Sequence, residues 1–464
     1  MGVFSALTTA VSGMTAQSYA LENISGNIAN SRTAGYKRVD TTFSDLVPDS
    51  ALNRQIGGSV AAFSQATNTI QGDLNATRID TNVAINGDGF FVVDQRQSGV
   101  GANTTFTNKN IFTRRGDFDF DANGYLVNGA GYFLKGLKID QVTGQLVGTQ
   151  PDVLRITKEQ FPAKATTSIE YRANIPAVPA TTQKTQGGSE FLNSASVTAA
   201  ATGANTLPYP AVMGNNIGSF LASSIPGGSV TVYDALGKAT SVEMRWAKID
   251  NGNAGPPVTT GTWGLFVAQD TSATGASQVA YVQAPQTVSF GTTGQIVDPS
   301  TGDIPLPTMT INGNTIPAIN LTTGGNGLTQ NGDVSGQIDA RSIRQDGYTA
   351  GTLDRVSVSA EGQVIGTFSN GQVVALAQIS VARFNADNAL KRLDGGAYEE
   401  TIESGPPIIG LGTSQMVGGN VEQSNTDIAD EFSKMIVTQQ AYSANTKVIS
   451  TAQEMLSSVF NIIR

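Results

Sequence analysis

The chain has 464 residues, enough for two to four domains, and it contains neither His nor Cys. Those absences exclude Ser/His/Asp catalysis, His-based zinc sites, thiolate chemistry and disulfides. A net charge of −9, only 14% charged residues and no Lys or Arg between Ile249 and Ala340 exclude a nucleic-acid binder, which needs clustered cations against phosphates.

The opening stretch MGVFSALTTAVSGMTAQSYA lacks the charged n-region and continuous apolar run of a secretory signal. No run in the chain approaches the roughly 18 apolar residues of a membrane span. Instead Phe4, Leu7, Val11, Met14, Leu21 and Ile28 fall on a three-four spacing, with Ser18 and Ser25 in the same register. That spacing predicts a helix of about thirty residues with one apolar side.

At about 100° per residue, Ser5, Thr9, Ser12, Ala16, Asn23, Asn27 and Asn30 share the opposite side. Solvated helix faces usually carry Lys and Glu, yet no base precedes Arg32 and Glu22 is the single acid before it. Both sides of the helix are therefore expected to meet protein. Ser31 to Arg38 then turn the chain outward at Gly35, Tyr36 and Lys37, and Arg32, Lys37 and Arg38 read as a solvated or partner-facing basic cluster.

Residues 35–75 read as an extended connector. Beyond it, IDTNVAINGDGFFVVDQ (79–95) alternates and then runs apolar. FTRRGDFDFDANGYLVNGAGYFLKG (112–136) reads as short strands turning at Asn123-Gly124 and Asn128-Gly129. A further meander at 354–384 turns at Glu361-Gly362 and Asn370-Gly371. Residues 76–144 and 345–400 are expected to form one proximal β domain. Between them, 145–344 read as an inserted outer β domain of one or two lobes. Its clearest element is a hairpin at 228–246 turning at Leu236-Gly237, and tracts at 176–215 and 250–260 read as long loops.

After a second connector at 401–424, Ile428, Phe432, Met435, Tyr442, Ile449, Leu456, Phe460 and Ile463 form a seam, with Gln439, Thr446 and Gln453 at the remaining heptad positions. Ser424 with Asp427 in capping-box spacing, or Asn425 or Thr426 alone, marks its start. A helix of some 38 residues would run about 57 Å at 1.5 Å per residue. The fold class is α+β and multidomain. Long N- and C-terminal helices form a coiled-coil-like inner domain (1–34 and 425–464), and the outer domains are mostly β, barrel- or sandwich-like.

Three motifs carry little chemistry. DFDANG (119–124) begins like a calcium loop, but Ala130 stands at its twelfth position and flanking helices are missing, so a β-turn is expected. Arg115-Gly116-Asp117 reads as an exposed turn. No carboxylate pair is singled out for hydrolysis, and neither a catalytic residue nor a metal or cofactor site is expected.

NISGNIANSRTAGYKR (23–38) resembles the signature that follows the first helix in bacterial flagellar rod and hook proteins. VEQSNTDIADEFSKMIVTQQAYSANTKVISTAQEML (421–456) resembles the C-terminal signature of that family, departing from it at Gln440 and Ser443. The interior segments QDGYTAGTLDRVSVSAEGQVIGTFSNGQ (345–372) and VYDALG (232–237) are similar to hook members. The resemblance implies a structural, non-enzymatic subunit of the extracellular hook, a flexible homopolymeric tube that transmits torque from rod to filament. It further implies export through the flagellar type III apparatus and contacts with rod, hook cap and hook-filament junction proteins, with no membrane insertion. The subunit interface would then use the apolar and asparagine positions of both terminal helices named above. A distal rod subunit, or a secreted β-rich adhesin or glycan binder, are the alternatives.

Overall fold

The computed structural model describes residues 3–46, 59–99, 104–141, 143–157, 160–199, 209–252, 255, 258–311, 313–332 and 335–462. They form a mostly-β chain with a long helix at each end, divided into two units. One comprises Met1–Glu159 with Leu353–Arg464, and the other is Gln160–Thr352.

In the first unit the helices span Val3–Ala29 and Ile428–Ile462, and they contain the apolar positions Phe4 to Ile28 and Ile428 to Phe460 of the two expected seams. Asp427 caps the second by accepting from Ala429 N at 2.7 Å and Asp430 N at 3.3 Å, so the cap is neither Ser424, Asn425 nor Thr426. The first connector contains an antiparallel hairpin, Val39–Leu46 against Ser59–Ala66, in register from Val39 opposite Ala66 to Leu46 opposite Ser59.

The β domain of this unit is built around the strand Phe90–Ser98, which pairs with Ile111–Thr113 and Tyr132–Ile139. Phe91 and Val93 enter one core with Phe118, Leu134, Val364 and Val381. Phe90 and Val92 enter another with Phe112, Phe384 and Tyr398. A strand covered on both faces needs no polar alternation, which is why FFVV runs apolar.

Turns fall where glycine is needed. Gly124, Gly237, Gly362 and Gly371 all have positive φ. At Asn128-Gly129 the left-handed residue is instead Gly131, whose N–H bonds the Asn128 carbonyl at 2.9 Å. Asp121 Oδ1 accepts from the N–H groups of Asn123 and Tyr125, a β-turn closed from within. Arg115 and Asp117 form a half-buried bidentate pair rather than an exposed turn, and a Cβ on Gly116 would sit 1.7 Å from the Val83 carbonyl oxygen.

In the second unit, a five-stranded and a seven-stranded sheet share one core. Tyr171 and Ile169 of the strand Ser168–Asn174 meet Trp246, Trp263 and Met244 of the other sheet. Tyr171 OH donates to the Gly227 carbonyl at 2.8 Å and accepts from Trp246 Nε1 at 3.3 Å. Burial pushes the Tyr171 hydroxyl well above the usual phenol range. The hairpin expected at 228–246 is Ile225–Tyr233 with Ala239–Asp250, Val230 lying opposite Val242. The outer face of the seven-stranded sheet is covered by the helix Ile217–Ser223, whose Phe220 packs on Phe266 and Tyr281.

Candidate functional site: the terminal helix pair and its anchor

The N-terminal helix has three sides. Ala10, Gly13, Ala16, Ala20, Ile24 and Asn27 are its buried residues. They recur every three or four positions and form the side turned to the C-terminal helix. Asn27 Nδ2 donates to Glu431 Oε2 at 3.0 Å at one end of the pair, and Val3 and Ala6 meet Val448, Ala452 and Met455 at the other, so the helices are antiparallel. A Cβ on Gly13 would sit 2.9 Å from Asn445 Nδ2; small residues bring the two backbones close.

The second side is polar and holds the 39–66 hairpin. Tyr19 OH and Ser64 Oγ share a hydrogen bond of 2.6 Å, and Asn23 Nδ2 donates to Thr41 Oγ1 at 2.8 Å. Asn27 both donates to the Val39 carbonyl and accepts from its N–H, each at 2.9 Å, while Ser12 Oγ accepts from Val60 N at 3.3 Å. Asn30 bonds back to the Gly26 carbonyl and accepts from Thr33. The asparagines of the opening signature are thus engaged inside the chain.

The third side is open. Phe4 is 74% exposed and Val11 is exposed too, while Leu7, Met14, Leu21 and Ile28 are half-buried. On the C-terminal helix, Met435, Ile449 and Leu456 are half-buried beside the buried Glu431, Thr438 and Ala452. Ile428, Phe432, Gln439 and Tyr442 are exposed, as are Ile436, Val437, Val448 and Met455. Ile463 and the side chain of Phe460 lie outside the described residues. An open apolar groove of about 510 Å³ runs between the far ends of the helices, lined by Val3, Ala6, Ala444, Val448, Ala452 and Met455.

The helix pair is anchored by buried charge. Lys37 is 1% exposed, so the basic cluster expected at the surface is not solvated there. Its Nζ meets Glu422 Oε1 at 2.5 Å and the Ile70 carbonyl at 2.6 Å. Glu422 Oε2 accepts from Arg114 Nε at 2.8 Å, and Arg114 Nη1 donates to the Gly87 and Gly89 carbonyls. Burial, and behind it the Arg114 charge, hold the Lys37 ammonium below its ordinary value against the pull of Glu422.

Gly35 turns here with φ 66, its N–H bonded to the Glu422 carbonyl at 2.8 Å, and a Cβ on it would lie 2.6 Å from Arg115 N. Tyr36 is buried, with the Arg392 guanidinium 4.3 Å over its ring. Asn425 Oδ1 accepts from Arg38 N at 2.7 Å while its Nδ2 reaches the Thr67 and Ile70 carbonyls. A second network joins Lys434 Nζ to Glu431 Oε1 at 2.9 Å and Asp40 Oδ1 at 3.1 Å. Burial opposes the Lys434 charge, but these two carboxylates outweigh it and raise its pKa.

Sequence reasoning missed Glu422 and Arg114, and gave Asn425 only as a candidate helix cap. Glu422 and Asn425 lay within the signature at 421–456, and no local pattern pairs them with residues 37 and 38. Among the described residues no group of acids is arranged to hold a metal. What the site offers is an anchored antiparallel helix pair with apolar side chains left uncovered.

Comparison with known proteins identifies four stretches. The model described as flagella basal body rod protein matches residues 7–37, and the flagellar hook protein FlgE/F/G D1 domain matches 84–177. The flagellar basal body protein FlaE D2 domain matches 227–348, and the flagellar basal body rod FlgEFG protein C-terminal model matches 417–462. Over the whole of both chains, the protein is 29% identical to the flagellar hook protein FlgE of Brucella suis and 26% identical to that of Caulobacter vibrioides. The crystal structure of Helicobacter pylori flagellar hook protein FlgE2 aligns with 74% of this chain and 98% of its own, at 16% identity and a TM-score of 0.49. Models described for flagellar rod and hook proteins thus match stretches of both helices and both β regions, and relatives named as flagellar hook proteins match the chain from end to end.

Proposed function

We propose that the chain is a structural subunit of the bacterial flagellar hook, not an enzyme, and that it polymerises through the uncovered faces of its terminal helices into a flexible, torque-transmitting tube. The observation that carries the reading is the set of apolar side chains left open on the helix pair, Phe4 and Val11 on one helix and Phe432, Ile436 and Val437 on the other. Exposed apolar surface of this kind marks an interaction site. With an open face on each helix, head-to-tail contacts between copies would extend rather than close. Full-length relatives named as hook proteins favour the hook over the rod.

In the tube the helices would form a coiled-coil-like inner layer outside the cell, with rod, cap and junction proteins at its ends. The family resemblance supports export by the type III apparatus. The interface would comprise Phe4, Val11, Ile428, Phe432, Gln439 and Tyr442, with the half-buried seam positions behind them.

The test is electron microscopy of the purified chain after polymerisation, beside the Phe432→Ser/Val437→Ser double variant. Both residues are open in the single chain, so the variant keeps its fold. Tubes from the wild type and none from the variant are expected; equal polymerisation would sink the terminal-helix mechanism.

A further inference from the structure

In the β domain of the first unit, away from the helix pair, a lysine, an acid and an amide converge. Lys135, on the strand Tyr132–Ile139, is 5% exposed. Its Nζ lies 3.0 Å from Asn110 Oδ1 and 3.5 Å from Asp94 Oδ2. Asp94 belongs to the adjacent strand Phe90–Ser98 and is fully buried. Its Oδ1 accepts from Gln95 N at 2.8 Å and Thr107 Oγ1 at 2.6 Å, whereas its Oδ2 has no hydrogen-bond partner and faces only the ammonium.

Asn110 is exposed and precedes the strand Ile111–Thr113. Its loop turns at Asn108, whose φ of 56° is the one positive value at a non-glycine residue among the described residues. Backbone in this region persists where the surroundings impose it.

A buried acid with one oxygen idle, a buried amine against it and a carboxamide within hydrogen-bond reach of that amine have the makings of an amide transfer. We propose that Lys135 and Asn110 join in an intramolecular isopeptide bond, with Asp94 carrying the protons.

Asp94 Oδ2 takes one proton from the Lys135 ammonium, freeing the lone pair on Nζ. That pair attacks Asn110 Cγ, the carbonyl electrons move onto Oδ1, and a tetrahedral carbon forms. Asp94 returns its proton to Asn110 Nδ2 as a second Nζ proton is released. The Oδ1 electrons then re-form the carbonyl and the Cγ–Nδ2 bond breaks. Of the three ammonium protons one stays on the new amide, and two leave with the NH2 group as ammonium. No oxidant or other reactant is consumed.

The exposed side of Asn110 lets ammonium escape. The product ties the strand Tyr132–Ile139 to the segment leading into Ile111–Thr113, on the far side of the strand Phe90–Ser98 that pairs with both, a covalent clasp across a domain that would bear load in a torque-transmitting tube.

Intact mass of the purified full-length chain under denaturing conditions tests this, together with fragmentation of its tryptic peptides. The expected chain is lighter than its sequence by one ammonia. It should yield a branched peptide in which Asn110–Arg114 hangs on Lys135, with no cleavage after Lys135. The full sequence mass with free cleavage there would show an ordinary ion pair and overturn the proposal.

Asn110→Ala removes the acceptor at an exposed position where folding is easily checked by circular dichroism, and its mass should equal its own sequence. If that variant keeps the deficit, the ammonia was lost elsewhere and the clasp does not exist. Asp94→Asn should leave the bond unformed in chains whose circular dichroism matches the wild type; bond formation in them would overturn the role given to Asp94.

Discussion

The two ends of the chain and its inserted unit handle apolar surface in opposite ways. The unit Gln160–Thr352 puts both tryptophans of the protein, Trp246 and Trp263, at 0% exposure between two sheets. The terminal helices meet through Ala10, Gly13, Ala16 and Ala20, and leave Phe4, Phe432 and Val437 outside. Large side chains inside give a body that is stable alone. Small side chains inside and large ones outside give a body whose remaining hydrophobic gain is realised only when another surface covers it, and in the proposed tube association and stability would be coupled there.

The sharpest way to break the comparison is through the core of the inserted unit. Trp246→Ala should cost about 3–5 kcal/mol, the range for deleting a fully buried aromatic. The loss should be read as an earlier denaturant midpoint for residues 160–352 expressed alone. If that fragment shows no cooperative unfolding even with its tryptophan, the unit is not self-sufficient.

Next in size is the anchor. Lys37→Met should destabilise the first unit by about 3 kcal/mol, because Glu422 keeps Arg114 but loses half its compensation in a buried site. It should also change the pH dependence. The folded Lys37 holds its proton less tightly than the unfolded one, whose value is 10.5. Between the lowered folded value and 10.5 the unfolded chain binds more protons, so the Lys37 contribution rises with pH across that window. Denaturant titrations of wild type and variant should diverge there; parallel curves would contradict the charge assignment.

The inserted unit has its own titrating clamp. Asp346 accepts from the N–H groups of Thr167 and Ser168, both at 2.9 Å, and from Thr167 Oγ1 at 2.7 Å, with Lys164 at 3.0 Å. Burial opposes its charge, but those donors together hold the carboxyl well below the usual carboxylate range. Its contribution is fully present above the unfolded value of 3.8 and is lost as pH falls through the depressed folded value. Asp346→Asn should cost about 2 kcal/mol at neutral pH, in line with charge-assisted bonds. The loss should shrink in acid as the wild type surrenders the same bonds.

How much was legible in the sequence follows how local each cause is. The turns at Gly124, Gly237, Gly362 and Gly371 were readable because a positive φ is a demand on one residue. Both helices were readable from spacing. Which side of the first helix would be buried within the chain was not. The large residues drew the eye to the Phe4–Val11 stripe, whereas the intramolecular contact uses Ala10, Gly13 and Ala16, whose value lies in letting a partner helix close in. The 39–66 hairpin was hidden because its strands are separated by twelve residues with no Asn-Gly turn. Lys37 was misread because the carboxylate that buries it is residue 422 and its second cation is residue 114.

The smallest expected changes in stability sharpen the comparison most. Asp427→Ala removes the cap of the C-terminal helix and should cost about 1 kcal/mol, read as an earlier denaturant midpoint of the full-length chain in dilute solution. Phe432→Ser should shift the same midpoint by less than about 0.5 kcal/mol, since in the single chain the ring is half in water already. The same substitution should nonetheless raise the protein concentration needed for tubes to appear, because each added subunit would bury one aromatic side chain fewer. A residue with almost no effect on the monomer and a large effect on assembly behaves as an interface residue. If instead Phe432→Ser unfolds the single chain, the ring supports the monomer and the helix pair is a body like the inserted unit.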